Sequence, residues 1–289
     1  MENIDKKTVD DFGDEWSAFS HENLSNQILQ QQFDRYFEIF NWKKLPENAK
    51  GFDMGCGSGR WAKLVAPLVG ELYCIDASEK ALEVAKNNLK TFNNCKFHVA
   101  SFESIPLEDN TMDFGYSLGV LHHIPDTLSG IQDCVKKLKQ GAPFLAYIYY
   151  AFDNKPLWFK WVWKLSDIFR RIISSLPFGL KWVVSQMISI LIYYPLARTS
   201  LLIEVIFKFN VDNIPLSAYR KLPFYSMRTD ALDRFGTKLE KRFTKNEISK
   251  MFMQAGLEEV VFNKDIPYWC VIGYKTDKKI HNESSRRRP

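Results

Sequence analysis

Asp53 stands two residues ahead of a run in which glycine alternates with small side chains, Gly55-Cys56-Gly57-Ser58-Gly59. Glycine lacks a Cβ, so such a turn can take positive φ and let a ligand come close to the backbone. The residues after it, Arg60-Trp61-Ala62-Lys63-Leu64, read as a helix start, which offers unpaired N–H groups and the positive end of a dipole. A dinucleotide fingerprint spaces its glycines G-x-G-x-x-G around a pyrophosphate. Here the third glycine comes one residue early, and Asp53 would repel a pyrophosphate while accepting hydrogen bonds from an ammonium group. A second acid, Asp76, closes Leu72-Tyr73-Cys74-Ile75, 21 residues after Gly55, where a carboxylate suits the hydroxyls of a ribose. An amino group plus a ribose, without a diphosphate, points to S-adenosylmethionine.

Two further segments extend the pattern: Ala100-Ser101-Phe102-Glu103-Ser104-Ile105-Pro106-Leu107, running on to Asp113, and Ser117-Leu118-Gly119-Val120-Leu121-His122-His123-Ile124-Pro125-Asp126. In this order and spacing the segments resemble class I S-adenosylmethionine-dependent methyltransferases of the small-molecule type, strongly over about residues 50–150 and more weakly over 227–275. The resemblance implies a Rossmann-like α/β fold: a mostly parallel seven-stranded sheet with an antiparallel edge strand, and a helical insertion after the fifth strand. It implies S-adenosyl-L-methionine as cofactor. Asp53 and the backbone of Gly55, Cys56, Gly57 and Gly59 would hold the methionine end. Asp76 would hold the ribose, with Ala77 beside the adenine. Ser101 and Phe102 would border the adenine, Phe102 through its backbone N–H; many relatives carry an acid where Ser101 stands. Leu118 and Gly119 would lie under the sulfonium and methyl.

The expected reaction is in-line methyl transfer to oxygen or carbon of a small or lipid- or sugar-linked acceptor, for which alignment at near-attack distance can supply on the order of 7–11 kcal/mol. A base is needed only for a hydroxyl or an acidic carbon. His122 and His123, after the fourth strand, are the candidates; the competing reading is that one of them packs beneath the loop. Trp16, in the aromatic leader Phe12–Phe19, is a candidate lid residue, with a flank-packed helix as the alternative. Arg60 could reach a carboxylate.

The elements that must position these residues alternate in type. Strands are expected ending at Asp53, then over 71–76, 96–100, 113–118 and 144–150, with helices over about 59–68, 78–89 (N-cap Ser78) and 127–138. Thr244 and Glu247 have capping-box form and open a helix to Ala255, stopped by Gly256, before two final strands, 259–262 and 268–274. A helix over 27–40 precedes the first strand. The expected organisation is a helical leader (1–49), the cofactor-binding core (50–150), a helical aromatic and basic insertion (151–226), the rest of the core (227–278) and a disordered basic tail (279–289).

Composition narrows the partners. Residues 1–150 carry 15 Lys/Arg against 21 Asp/Glu and residues 151–289 carry 24 against 13, giving −6 and +11, which sum to the net +5. The basic half also holds Trp158, Trp161 and Trp163, and could face phosphate or an anionic lipid surface. The uncharged run 182–197 would span about 24 Å as helix, short of a ~30 Å hydrocarbon core, with Pro195 shortening it further, so no transmembrane helix is expected. The insertion is either a cap over the acceptor or an element of the membrane interface. Nucleic acid is not the expected partner, because Ser117-Leu118-Gly119-Val120 lacks the Asn/Asp-Pro-Pro-Tyr pattern of base N-methylation. A catalytically silent binding protein would not need Asp53, the glycine turn and Asp76 together. The histidines show no zinc-like spacing, so no metal is expected. Five cysteines without a C-x-x-C pair and a polar start, Met1-Glu2-Asn3-Ile4-Asp5, fit a cytoplasmic chain.

Overall fold

Seven strands, β1 (Lys50–Met54), β2 (Glu71–Asp76), β3 (Cys95–Val99), β4 (Phe114–Leu118), β5 (Pro143–Tyr147), β6 (Leu257–Phe262) and β7 (Cys270–Lys275), form one sheet in the order β3-β2-β1-β4-β5-β7-β6. This is a computed structural model that describes residues 3–18, 26–153, 155–264 and 270–276. The first five strands are mutually parallel, and β7 runs antiparallel to both β5 and β6. The reversed strand is therefore one in from the edge. Strand order turns between β1 and β4, where an α/β sheet leaves a crevice at its carboxyl end. The expected fold class, a Rossmann-like methyltransferase sheet with a helical insertion after the fifth strand, is the one observed.

Alternation along each strand feeds two cores. Phe52, Met54, Ile75 and Phe144 pack with α5 (Thr127–Lys137) and α10 (Lys245–Gln254) on one face. Leu72, Cys74, Phe114 and Tyr116 pack on the other with α2 (Asn26–Tyr36), α3 (Ala62–Val65) and α4 (Glu79–Asn88). Ser78 caps α4 by accepting from Ala81 N, and the Thr244–Glu247 capping box opens α10 as expected. The helix expected over 59–68 is shorter: four residues of α3, then a 3₁₀ turn at Ala66–Leu68.

Strands β1 and β4 interlock by exchanging rings for glycines. Gly51 pairs with Phe114 and Phe52 with Gly115. A Cβ on Gly51 would sit 2.2 Å from the Phe114 ring, and one on Gly115 would sit 2.2 Å from Phe52. Each ring occupies the space that the facing residue leaves.

The chain divides into two compact units, one of residues 1–4, 21–150 and 241–289 that holds the sheet, the other of 5–20 and 151–240. The second unit is helical: α1 (Lys6–Ala18), α6 (Leu157–Ile173), α7 (Phe178–Ile188), α8 (Tyr194–Phe207) and α9 (Phe224–Gly236), with α1, α6 and α7 packed on α9. This corrects two boundaries. The leader is not one piece: α1 folds with the insertion, while Leu29 and Phe33 of α2 are buried in the sheet unit. The insertion runs to Glu240 rather than 226, because Met227, Ala231 and Phe235 of α9 share a core with Ile173, Tyr193 and Ala197. The tail 279–289 lies outside the described residues.

Nor does Pro195 end its helix. Helical structure continues from Phe178 to Phe207, 30 residues, or about 45 Å at 1.5 Å per residue. A proline lacks an N–H and crowds the carbonyl four residues back. A π turn at Ser189–Tyr193, just before it, widens the backbone there.

The ring-for-glycine exchange generates a prediction. Gly115→Ala drives a methyl into Phe52 and should destabilise the sheet unit by about 1–3 kcal/mol, read as a lower urea midpoint by circular dichroism.

Candidate cofactor-binding site

Asp53 sits near the carboxyl end of β1, 1% exposed, and its Oδ2 has no hydrogen-bond partner among the described residues. Its carboxyl pKa is pushed up to about 8, chiefly by burial; the Tyr116 hydroxyl pulls against that shift, the nearby Asp76 charge adds to it and the Arg60 charge opposes it. Tyr116 faces Asp53 directly across the β1–β4 pairing, without a hydrogen bond of normal geometry from its hydroxyl. An unpaired buried carboxyl is costly unless something else satisfies it.

The glycine turn wraps the end of β2. Gly55 N and Cys56 N both donate to Ile75 O, at 2.7 and 3.1 Å. Gly55 and Gly59 have φ of +79° and +75°, backbone that disfavours any side chain. A Cβ at Gly55 would lie 2.4 Å from a Val120 methyl, and one at Gly59 2.8 Å from Leu89. Gly57 N donates to Asp76 Oδ2 at 2.9 Å and Ser78 N to Asp76 Oδ1 at 2.8 Å. The second acid is thus anchored to the turn that follows the first. Burial raises the Asp76 pKa, opposed by N–H groups of Ser78, Gly57 and Ala77. Cys56 is buried beside the turn, its thiol pKa pushed up to about 11.

At the end of β4, Ser117 Oγ donates to Met54 O at 2.8 Å and fixes the two strand ends together. Gly119, φ +83°, has no atom within 4 Å of where a Cβ would stand, so the backbone there faces open space. Leu118 before it is buried. Ser101 and Ser104 cap a 3₁₀ turn through each other's side chains, their Oγ atoms 3.1 Å apart. The Phe102 ring is core, so only its backbone is left for the adenine-side role expected of it. Ala77 is half-buried at the start of the loop to α4.

The histidines are buried. His122 accepts a hydrogen bond at Nδ1 from Tyr149 N, 3.3 Å, which leaves the proton of the neutral ring on Nε2, an atom with no partner among the described residues. Its pKa is held well below the usual histidine value, by burial first and then by His123 and Arg242. The rings of His123 and Tyr149 lie 4.1 and 3.6 Å from it, and Arg242 lies over Tyr149. Arg60 lies 4.2 Å over the ring of Trp61, which is core. Trp16 is half-buried on α1, in the second unit. Sequence reasoning missed Tyr116, Val120, Tyr149 and Arg242, which reach the site across strand pairings or from the far end of the chain. The register that brings Tyr116 opposite Asp53 is given by the strand pairing and not by the sequence.

These residues fit S-adenosylmethionine: Asp53 offers a buried, unpartnered carboxylate oxygen for the ammonium, Asp76 a carboxylate at ribose distance in sequence, and Gly119 an unobstructed floor. Comparison with known proteins agrees. Residues 52–146 match the methyltransferase domain family, so this segment carries a class I S-adenosylmethionine-dependent methyltransferase domain whose cofactor is S-adenosyl-L-methionine. Among curated relatives, a demethylmenaquinone methyltransferase of Staphylococcus aureus is 30% identical over 133 residues, 40% of this chain and 54% of that protein. The chain thus spans about half the length of the curated relatives it matches. Solved structures with similar backbones include S-adenosylmethionine-dependent methyltransferases from Thermotoga maritima (14% identity, 93% of this chain and 100% of that one, TM-score 0.48) and Aquifex aeolicus (15%, 87% and 98%, 0.44).

The Asp53 pKa gives this site a pH signature. The folded chain keeps the Asp53 proton to about pH 8, whereas an unfolded aspartate releases it near ~3.9. Stability therefore falls as pH rises through that window, and Asp53→Asn should flatten the fall in urea titrations. A cation on Asp53 must displace the same proton. Affinity for S-adenosylhomocysteine should rise by up to about tenfold per unit between pH 6 and 7, with close to one proton released, read by calorimetry in two buffers of different ionisation enthalpy. Asp53→Asn should bind weakly and without that proton.

Proposed function

We propose that the chain is a methyltransferase that moves the methyl group of S-adenosylmethionine to oxygen or carbon of a small apolar acceptor, of quinone-like or lipid-linked type. The observation that carries the reading is the buried Asp53 oxygen left without a partner, because a protein with no ligand to bind would have no use for it. The curated relative that acts on a demethylmenaquinone supports an acceptor of that size and polarity. Five free thiols, four of them buried, suit a reducing compartment, and we place the protein in the cytoplasm.

The cofactor supplies an electrophilic methyl on a sulfonium, and the chain supplies placement. Asp53, as carboxylate, would bind the ammonium, Asp76 would orient the ribose, and Leu118 with Gly119 would form the surface beneath the reacting carbon. An acceptor hydroxyl or acidic carbon would have to give up its proton to a residue of this chain on methylation. His123 is the residue assigned to take that proton. His122 is not, because its Nδ1 is occupied by Tyr149 N and its burial opposes a second proton; its Nε2–H instead donates a hydrogen bond to the acceptor oxygen.

The reading is tested by titrating the pure protein with cofactor and product, then screening methyl transfer to quinone-like, sugar-linked and lipid-phosphate acceptors by mass spectrometry. With an acceptor in hand, His123→Ala should lower kcat by about 10²–10⁴ with the affinity for S-adenosylhomocysteine kept, while His122→Ala should raise KM more than it lowers kcat. Unaltered turnover in both variants removes the histidines from the mechanism. Binding without transfer to any acceptor favours a silent binding protein.

A further inference from the structure

The second unit presents much of its apolar surface outward. Of the 25 large hydrophobic side chains exposed among the described residues, 21 lie between Leu157 and Phe209. On α6 the outward side chains include Trp161, Leu165 and Ile172, and on the α7–α8 helix they include Leu191, Leu202 and Val205. Soluble monomers rarely leave large apolar patches in water.

Beside a small apolar core around Met227, Ala231 and Phe235, these helices turn charged and polar groups inward. Lys181 is buried in an ion pair with Asp11, 2.6 Å, and Arg170 is buried between Asp167, 2.6 Å, and the Thr237 carbonyl, 2.9 Å. Arg228 Nε donates to Gln186 Oε1, and Arg234 donates to Ser166 Oγ at 2.8 Å. The inward stripe of the long helix is Lys181, Ser185, Ser189, Tyr193, Ala197 and Ser200, small or polar in all but one position. A helix that packs its polar and small residues and presents its aliphatic ones has the arrangement expected where the surroundings are hydrocarbon.

We propose that the outer face of α6 and of the α7–α8 helix is seated in one leaflet of an anionic lipid bilayer, making the second unit a monotopic membrane anchor. Charge favours that occupant: the second unit, residues 5–20 and 151–240, carries 15 Lys/Arg against 12 Asp/Glu, a net +3, and Lys164 and Arg171 project from the exposed side of α6 among its apolar residues. Length alone would let the 30-residue helix cross the bilayer. Its packing decides against that. α9 lies along α7 and α6 and carries Arg228, Asp230, Asp233 and Arg234, four ionisable side chains that a spanning arrangement would draw into hydrocarbon. In a one-sided arrangement α9 remains on the water side of the two anchoring helices. This inference rests on the second unit's own packing and not on the methyl-transfer reading.

The experiment is flotation of the full-length protein with preformed vesicles of phosphatidylcholine and about one third phosphatidylglycerol, with no detergent, beside calorimetry with S-adenosylhomocysteine on the same sample. The expected result is that the protein floats with the vesicles. The double variant Leu165→Glu with Leu191→Glu, at two exposed positions, should lose at least tenfold in partitioning while circular dichroism and S-adenosylhomocysteine affinity stay those of the parent. Failure to float overturns the proposal, as does flotation that the double variant retains. A defined soluble oligomer that does not float would assign the apolar face to a second copy. Incorporation that requires detergent would assign a spanning helix. Either result also overturns it. Loss of S-adenosylhomocysteine binding with flotation intact would count against the methyltransferase reading alone.

Discussion

A carboxyl group inside a sheet with one oxygen unpaired sets the terms for the first unit. Asp53 cannot be hydrated where it stands, and burial keeps it protonated through neutral pH. The neighbouring structure keeps it in that position: Ser117 binds the Met54 carbonyl immediately beyond it, and the exchange of rings for glycines clamps β1 to β4 one and two residues before it. The glycine turn then carries the chain over the end of β2 and fastens to Asp76. Two acids that are distant in sequence become one site because the backbone between them is held at both ends.

The parts of this site that could be read from the sequence are those the chain keeps local. Asp53, the three glycines and the acid closing the next strand announce themselves by type and spacing, and the capping box at Thr244 fixes a helix start within four residues. Features that depend on the far side of a strand pairing could not be read. Nothing near Asp53 in sequence names Tyr116 as the residue facing it, and nothing near Gly55 names Val120 as the group that forbids a side chain there. The two adjacent histidines are indistinguishable in sequence. A single N–H from Tyr149 tells the two rings apart, by fixing the proton of one of them.

Domain boundaries failed to show for a related reason. The pattern of α9 gives a face that needs covering but not the partner that covers it, and its partners are Ile173, Tyr193 and Ala197 rather than the sheet. The same holds for α1, whose Asp11 neutralises a lysine 170 residues away. The uncharged run 182–197 understates the long helix because Lys181 and Arg198 lie inside it and not at its ends. Both charges are consumed within the unit, Lys181 by Asp11 and Arg198 by the carbonyls of Arg220 and Leu222.

The π turn before Pro195 has a geometric effect beyond relieving the proline. The inward residues from Lys181 to Ala197 recur every fourth position, and in an unbroken α-helix each such step drifts by about 40° around the axis. Over that distance the line would wind nearly halfway round and carry Ala197 and Ser200 out of the unit. One turn that holds an extra residue takes up much of the drift. It works as a phase corrector, keeping a long straight seam on a helix whose ordinary pitch would twist the seam away from its neighbours.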